Sequence, residues 1–394
     1  MIIPELSRNP ITQEVTVSPL AYVRFELYLE TSYGLGDYQL LITANLPTDH
    51  NGYVQWRFQD YLNDALEADA TAPDPDQDTL AYPVTQLRRF YVRWVQTQAY
   101  QEPTGNWTQE AERVVILGGV PDEYWPHLDR AELFRNWLTW QPDRRGLAYA
   151  DRLWLDFCST RAGVSSITWH VALYAYPNDV LPADQLESTL NVQAGPYAEG
   201  PQLVRFLLDF RTIAPVYRMV RFWLTDHNGL ELAPVREYYL DPTTLERPKE
   251  GRHLLSFRNS LGGWDTLLTK GRYQHQLKTS RNVAELHNEN GSSASYPLLN
   301  VWRRPTGQLL REVGTGWLTR PELEHLQEFE LTREIIEWQE NGQDLIPIPV
   351  ISQSQELLYD QNHPGLVAAV FKYLVARTQH SFLPKAARRG NTRP

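Results

Sequence analysis

Residues Tyr22–Glu30 alternate without interruption: Val23, Phe25, Leu27 and Leu29 are apolar, while Tyr22, Arg24, Glu26, Tyr28 and Glu30 stand between them. Successive side chains of an extended chain point to opposite faces, so this run has one apolar face and one wet face. Wound into a helix, the same residues would surround the axis with no common apolar side. The segment therefore requires a sheet that covers a core on one side.

The neighbouring sequence supplies partners for that strand. Gly34, Gly36 and Asp37 form a turn, and residues 38–44 return as a second strand. Another turn, Asp49-His50-Asn51-Gly52, leads to a strand over 53–58. Tyr61, Leu62, Ala65 and Leu66 are then spaced for one face of a short helix over 59–68. Residues 69–78 are acidic and Pro-rich and read as an exposed loop. Residues 88–97 alternate around Phe90, Val92 and Trp94, and 113–117 form a strand that runs into Gly118-Gly119.

Residues 121–140, rich in Trp and Pro, read as a connector. A second series of strands is expected at 152–157, 167–176, 203–210, 216–225 and 235–240, with Asn228-Gly229 turning a hairpin and a long surface loop over 178–200. Beyond residue 246 the texture changes. Short strands are expected near Leu254, Leu267, Tyr273 and Val301, with a turn-rich insert over 287–295. Thr319 and Glu322 form a reciprocal cap for a helix over 320–331, and Pro321 falls in the first turn, where its missing N–H costs no hydrogen bond. Asn341-Gly342 joins strands at 335–339 and 345–351, and 366–377 reads as a last strand.

The expected fold is thus mainly β. It comprises an N-terminal β-sandwich over 1–120, the connector, a second β-sandwich over 141–245, a smaller mixed α+β domain over 246–380 and a basic tail over 381–394. Both sandwiches are expected to be of the immunoglobulin or fibronectin-III kind.

Composition narrows the function. The 394 residues carry 37 Lys+Arg against 48 Asp+Glu, a formal charge of -11, and an acidic surface repels phosphate backbones. No nucleic-acid partner is expected. Lys385, Arg388, Arg389 and Arg393 form a local exception, read as an exposed basic end or a docking arm for an acidic neighbour. No apolar run approaches the roughly 18 to 20 residues that cross a bilayer as a helix, so no membrane span is expected. The start, Met1-Ile2-Ile3-Pro4-Glu5, has no secretory signal pattern, and the chain is expected to be made in the bacterial cytoplasm. The single cysteine, Cys158, follows an apolar run and is expected to be a buried, inert thiol.

Catalytic and metal-binding patterns are equally sparse. There is no glycine-rich phosphate loop ending in Lys-Ser/Thr and no Gly-x-Ser-x-Gly elbow. The histidines His127, His170, His227, His253, His275 and His325 are scattered, with no metal-ligand spacing, and His170 is expected on the solvent side of its strand. Asp74, Asp76 and Asp78 alternate, but the glycine and distal glutamate of a calcium loop are missing. Asp156, Asp209 and Asp265 adjoin aromatic residues, as sugar-site acids do, and as strand residues they are expected on the solvent face. No catalytic residue, cofactor or metal ligand is assigned, and the chain is not expected to be an enzyme.

The segment Asn259-Ser260-Leu261-Gly262-Gly263-Trp264, between Phe257 and Leu267, is a turn with two conformationally permissive residues between apolar strand ends. It resembles a signature of tail-region virion proteins from phages and prophages of the Bacteroidota type. Three further segments fit that resemblance in order: Asn51-Gly52-Tyr53 with the helix that follows, Tyr91-Val92-Arg93 followed by the strand ending at Gly119, and Leu138-Thr139-Trp140-Gln141-Pro142. The resemblance implies a non-catalytic subunit of a tail, baseplate or related injection-system particle. Its implied partners are other particle subunits, with homo-oligomers in rings or filaments, and its implied location is the virion or a phage-tail-like particle.

The aromatic load of 13 Trp, 21 Tyr and 12 Phe suits both strand packing and interfaces. Trp107 and Trp125, in polar or Pro-rich surroundings, are the candidate interface or glycan-stacking aromatics. Two other readings therefore stay open: a carbohydrate-binding or adhesion module that contacts host-surface glycan, and a glycoside hydrolase.

Overall fold

The computed structural model describes residues 2–70, 73, 80–81, 85–98, 105–148, 152–160, 164–191, 200–241, 253–269, 273–280, 283–286, 299–302, 306–332, 334–341, 344–353 and 367–375. Asp74, Asp76, Asp78, the 287–295 insert, Gly342 and the basic residues from Lys385 onwards lie outside the described residues. The chain divides into two compact units. One is Met1–Arg247 together with Phe257–Thr266, and the other is Pro248–Ser256 together with Leu267–Pro394.

In the first unit, Tyr22–Glu30 lies between Leu87–Thr97 and Tyr38–Pro47, antiparallel to both, and Arg113–Ile116 and Glu5–Leu6 extend the sheet on the far side of Leu87–Thr97. The apolar set Val23, Phe25, Leu27 and Leu29 faces a core with Phe90, Val92 and Val115. The covering layer is a short antiparallel ladder, Thr12–Thr16 with Tyr53–Arg57, and the helix Gln59–Asp69. Val15, Val54, Trp56, Phe58, Leu62 and Leu66 fill the core from that side. The Leu62 and Leu66 pair, one helical turn apart, explains why this helix lies flat on the sheet.

A second core follows in the same unit. Arg144–Ala148, Glu231–Asp241, Met219–Asp226, Ser166–Tyr174 and Asp184–Asn191 form a five-stranded sheet in that order. Arg152–Ser159 and Gln202–Asp209 pair antiparallel and close the other side, joined by Leu80–Ala81 from the N-terminal region. Between the two layers lie Trp137, Leu155, Phe157, Ile167, Phe206, Phe222, Leu224 and Tyr238. A third cluster combines Leu6, Leu87 and Ile116 with Leu133, Phe134, Cys158, Leu203 and Leu261. Cys158 is fully buried there, and burial pushes its thiol up, so it stays protonated and unreactive.

The second unit is built on antiparallel pairs: Ile335–Asn341 with Asp344–Ser352, Asp344–Ser352 with Val367–Val375, Val367–Val375 with Thr306–Leu318, and Thr306–Leu318 with Tyr273–Ser280. Val283–Leu286 pairs separately with Leu299–Trp302. The two short helices Arg320–His325 and Gln327–Leu331 pack apolar residues inward, with Phe329 against Phe371 at 4.7 Å between ring centres. The Thr319 amide donates to the Glu322 carboxylate at 2.8 Å, which caps the first helix.

Three sequence expectations are corrected, and one strand was missed. The loop expected over 178–200 contains the strand Asp184–Asn191, paired along its whole length with Ser166–Tyr174. It forms a sheet edge and Leu186 is exposed, so no buried face imposes an apolar alternation. The helix expected over 320–331 is broken at Leu326 into two. The long strand Thr306–Leu318 was hidden by Gly307, Gly314 and Gly316, which interrupt its alternation, and its register shifts between Gly314 and Trp317. His170 is on the outer face but is largely covered: it stacks on Trp223 at 4.8 Å and contacts Glu187 at 3.0 Å and Thr225 at 2.9 Å.

Glu337 is buried in the second unit, where it accepts from His253 at 2.6 Å and pairs with Arg311. Burial alone would raise its carboxyl, but His253 and Arg311 outweigh that and hold it below the ordinary value of 4.5. A depressed carboxylate stabilises the fold fully above its unfolded pKa, and the contribution is lost as pH falls through the lower folded pKa. Acidification below the ordinary glutamate value should therefore loosen this unit, read by hydrogen exchange of its amides. Glu337→Gln should destabilise it by about 3–5 kcal/mol at neutral pH, because Arg311 then loses its counter-charge. The same variant should remove the acid-dependent step.

Candidate functional site

The signature turn is a buried joint inside the first unit. The chain just after the strand Arg113–Ile116 and the turn after Leu261 meet backbone to backbone, as two glycine pairs. Gly118 has φ of +145° and Gly262 has φ of +87°, both in the region that favours glycine. A Cβ on Gly262 would lie 1.8 Å from the Leu117 carbonyl oxygen, and one on Gly118 would lie 2.5 Å from the Leu261 carbonyl carbon. The Gly119 amide completes the contact by donating to the Ser260 carbonyl at 2.7 Å.

Side chains fasten the same turn to Leu138-Thr139-Trp140-Gln141. Asn259, fully buried, donates through Nδ2 to the Leu138 carbonyl at 2.8 Å and to Asp265 at 3.0 Å. Its Oδ1 accepts from the Gly263 amide at 3.0 Å, which closes the turn. Asp265 also accepts from Thr139 Oγ1 and Gln141 Nε2, each at 2.7 Å. The Trp264 amide donates to Asp156 Oδ2 at 2.9 Å, and the Trp140 indole donates to Ser260 Oγ at 2.9 Å. Trp264 itself is buried under the Arg258 guanidinium, 5.0 Å from its ring centre.

The acidic residues expected on solvent-facing strands are thus corrected. Asp156 and Asp265 are buried, and Asp209 is mostly covered. Asp156 is held by Arg205 through contacts of 2.7 and 3.1 Å, and Asp209 is bridged by Arg152 at 3.0 Å and Arg211 at 2.6 Å. The strand Arg152–Ser159 is covered on both faces, so its inward polar side chain needs a charged partner to be tolerated. These carboxylates are bonded within the fold. Among the described residues there is no cluster of three metal-ligating side chains.

Trp107 belongs to a layer on the wet face of the first sheet. Tyr28 and Tyr91, directly opposite each other on neighbouring strands, stack at 4.9 Å with 9° between their planes. Tyr38 meets Tyr91 edge-on at 5.0 Å. The Arg93 guanidinium lies 4.8 Å from the Tyr28 ring centre and 4.5 Å from that of Trp107. Glu26, opposite Arg93, binds it at 2.6 Å and accepts the Tyr28 hydroxyl at 2.8 Å. Burial, then the Glu26 hydrogen bond, pushes the Tyr28 phenol up. The result is a flat, pre-ordered aromatic and guanidinium surface, continued by Leu40, which is half exposed and lies opposite Tyr28. One ring face of Trp107 is already occupied by Arg93, which leaves less of it for stacking on a sugar.

Trp125 lies apart from that layer, beside a cleft of about 360 Å³ bordered by Glu5, Pro10, Thr12, Arg113 and Arg130. A second cleft of about 470 Å³ lies between Phe134, Phe157, Ser159, Thr160 and Pro234. Sequence reading missed Arg93 and Arg113, because an arginine in an alternating strand looks the same whether it is solvated or covers a ring.

No known protein family matches this chain, and no curated protein matches it. Among solved structures, it is similar to trypsin-activated alpha-2-macroglobulin from Escherichia coli at 8% identity and a TM-score of 0.20, over 93% of this chain and 32% of that one. The chain spans about a third of that protein's length. A TM-score this low leaves the fold to be described on its own terms.

The joint makes a sharp mutational contrast. Gly262→Ala combines an unfavourable φ with a backbone clash, so it should destabilise the first unit by about 3 kcal/mol or more. Asn259→Ala leaves buried acceptors without donors and should cost about 2–4 kcal/mol. Gly229→Ala, at a hairpin turn with open space around the added carbon, has only the φ term of about 1 kcal/mol. Chemical denaturation of the three variants checks the order.

Proposed function

We propose that the chain is a non-enzymatic structural subunit of a phage tail, baseplate or related injection-system particle, acting through protein–protein interfaces. The layer of Trp107, Arg93, Tyr28, Tyr91 and Tyr38 carries this reading. Trp, Tyr and Arg are the residues most enriched where partners bind, and here they are already ordered by Glu26 and by one another. Little side-chain entropy remains to be lost on docking. A further observation supports the reading: the candidate sugar-site acids Asp156 and Asp265 are tied into the fold. In this reading the two cores of the first unit serve as tandem sandwich modules of the immunoglobulin or fibronectin-III kind.

The face of this sheet suits docking better than its edge. Tyr38–Pro47 has one strand neighbour among the described residues and carries no charged side chain. The Thr48 amide donates to the Ala21 carbonyl at 2.9 Å, so by alternation Pro47 turns its nitrogen, which has no hydrogen, to the open side. The register also shifts where Leu41 bulges. Both features interrupt the row of donors that an added strand would need.

The proposed partners are neighbouring particle subunits, including further copies of this chain in a ring or filament, and the proposed location is the assembled particle. Light scattering and electron microscopy of the purified chain, alone and with the products of adjacent genes, should show rings, filaments or a stable complex. Arg93→Ala with Tyr91→Ala should abolish that assembly while leaving the circular dichroism spectrum unchanged. A chain that stays monomeric at high concentration with every such partner would overturn the reading.

A further inference from the structure

Four large apolar side chains at one end of the second core are left in water. Val180 is 89% exposed, Leu181 77%, Tyr176 69% and Val216 61%. Single exposed aliphatics are ordinary, but several at one place mark a surface that a partner covers. Tyr174 lies opposite Met219, and the Arg218 amide donates to the Tyr174 carbonyl at 2.8 Å. The loops over 175–183 and 210–218 therefore leave neighbouring strand ends side by side. Both are ordered. The Tyr176 amide donates to Asp179 Oδ2 at 2.9 Å, and the Tyr217 amide donates to the Ala214 carbonyl at 3.1 Å. The result is a projecting apolar tip whose turns have little freedom left to lose on docking.

The other end of the same core carries a hollow. Ile167 lies opposite Asp226, Thr225 opposite Glu231 and Ser159 opposite Gln202, so these residues mark the strand ends remote from the tip. The cleft of about 470 Å³ opens there, walled by Phe134, Phe157, Leu232, Ala233 and Pro234. Its rim presents one charge of each sign, Arg135 and Glu231. Arg135 shares Glu132 along its own helix yet stays 67% exposed. The tip has Asp179 and Asp184 on or beside one loop and Arg211 and Arg218 on the other, so each rim charge has an opposite to meet.

We propose that the chain associates with copies of itself head to tail, the Val180-Leu181 tip of one copy seated in the cleft beside Phe134 and Leu232 of the next. Tip and cleft are different surfaces at opposite ends of one core, so the contact is heterologous. Such a contact leaves a tip and a cleft open after every addition, and gives a ring where the rotation closes and a filament where it does not. It goes beyond the layer around Arg93, which is a separate surface and can hold another subunit at the same time. The area is small, so this contact alone is weak and depends on concentration.

Cross-linking of the full chain tests this, because the native thiol, Cys158, is buried and inert. Leu181→Cys and Glu231→Cys place one thiol at the tip and one on the cleft rim, both at exposed positions. Mixed and treated with a short bis-maleimide, they should give a dimer that neither gives alone, with one variant isotope-labelled so that mass identifies the mixed pair. The mixed dimer should persist when Arg93→Ala and Tyr91→Ala are added to both. Val180→Asp with Leu181→Asp should weaken self-association in sedimentation velocity by about tenfold or more, with an unchanged circular dichroism spectrum. A particle that forms through the Arg93 layer while no mixed dimer appears would overturn this contact and leave the structural-subunit reading standing. Dimers of Leu181→Cys alone equal to the mixed dimer, or self-association unchanged by the two aspartates, would overturn it too. So would a chain that stays monomeric and binds phosphatidylcholine vesicles through the tip.

Discussion

The first unit depends on one close approach of backbone to backbone. Leu117-Gly118 and Leu261-Gly262 touch at distances that leave no room for a Cβ on either glycine. Everything around this contact follows from the proximity it permits. Asn259 reaches the Leu138 carbonyl, Asp265 collects donors from Thr139 and Gln141, and Leu261 enters the apolar cluster with Ile116, Phe134 and Cys158. A side chain at either glycine would separate the two segments and leave several buried polar groups without partners at once. Such groups are costly because water is not there to replace the lost bond.

Buried carboxylates recur on the same physical terms in both units. Asp156 lies against Arg205 in the first unit, and Glu337 lies against His253 and Arg311 in the second. In each case the carboxylate is on a strand that is covered on the face where it points. An apolar residue would fill the space, but it would not fix which donor sits opposite. The charged pair makes the arrangement specific, and the low local dielectric makes the loss of either partner severe. Arg93 and Arg113 show the opposite contrast on the surface side. Arg93 has Glu26 and two aromatic faces, so it is ordered and neutralised, whereas Arg113 has the aromatic faces without the carboxylate.

Much of the strand pattern was legible in the sequence. Tyr22–Glu30 could be bounded residue by residue because its apolar side chains alternate into the core, although Glu26 and Glu30 on the opposite face are buried as well. The helix Gln59–Asp69 was equally plain, since Leu62 and Leu66 are buried at helical spacing. One edge strand was not legible. Asp184–Asn191 is held by main-chain pairing to one neighbour, and that leaves no apolar imprint on the sequence. Thr306–Leu318 was obscured by its glycines, and Asp156 and Asp265 were assigned to the wrong face, because an acid in a strand looks solvated until its partner is known. The candidate site was legible only in part. Trp107 and Trp125 stood out by residue type, but Arg93 and Arg130, whose guanidinium groups lie over their rings, did not.

The sequence by itself determined a mainly β chain, the places of its central strands, the cap on the helix at Thr319 and the inert state of its one cysteine. Those properties depend on residues close together in the chain or on bulk composition. Only the tertiary structure decided that two glycine pairs far apart in sequence, at Gly118 and Gly262, form a single contact. It also decided that Asp156 and Asp265 are buried and bonded within the fold. These are relations between segments brought together by folding, and no local pattern records them, since the same residue in the same strand serves equally well in water or in a core.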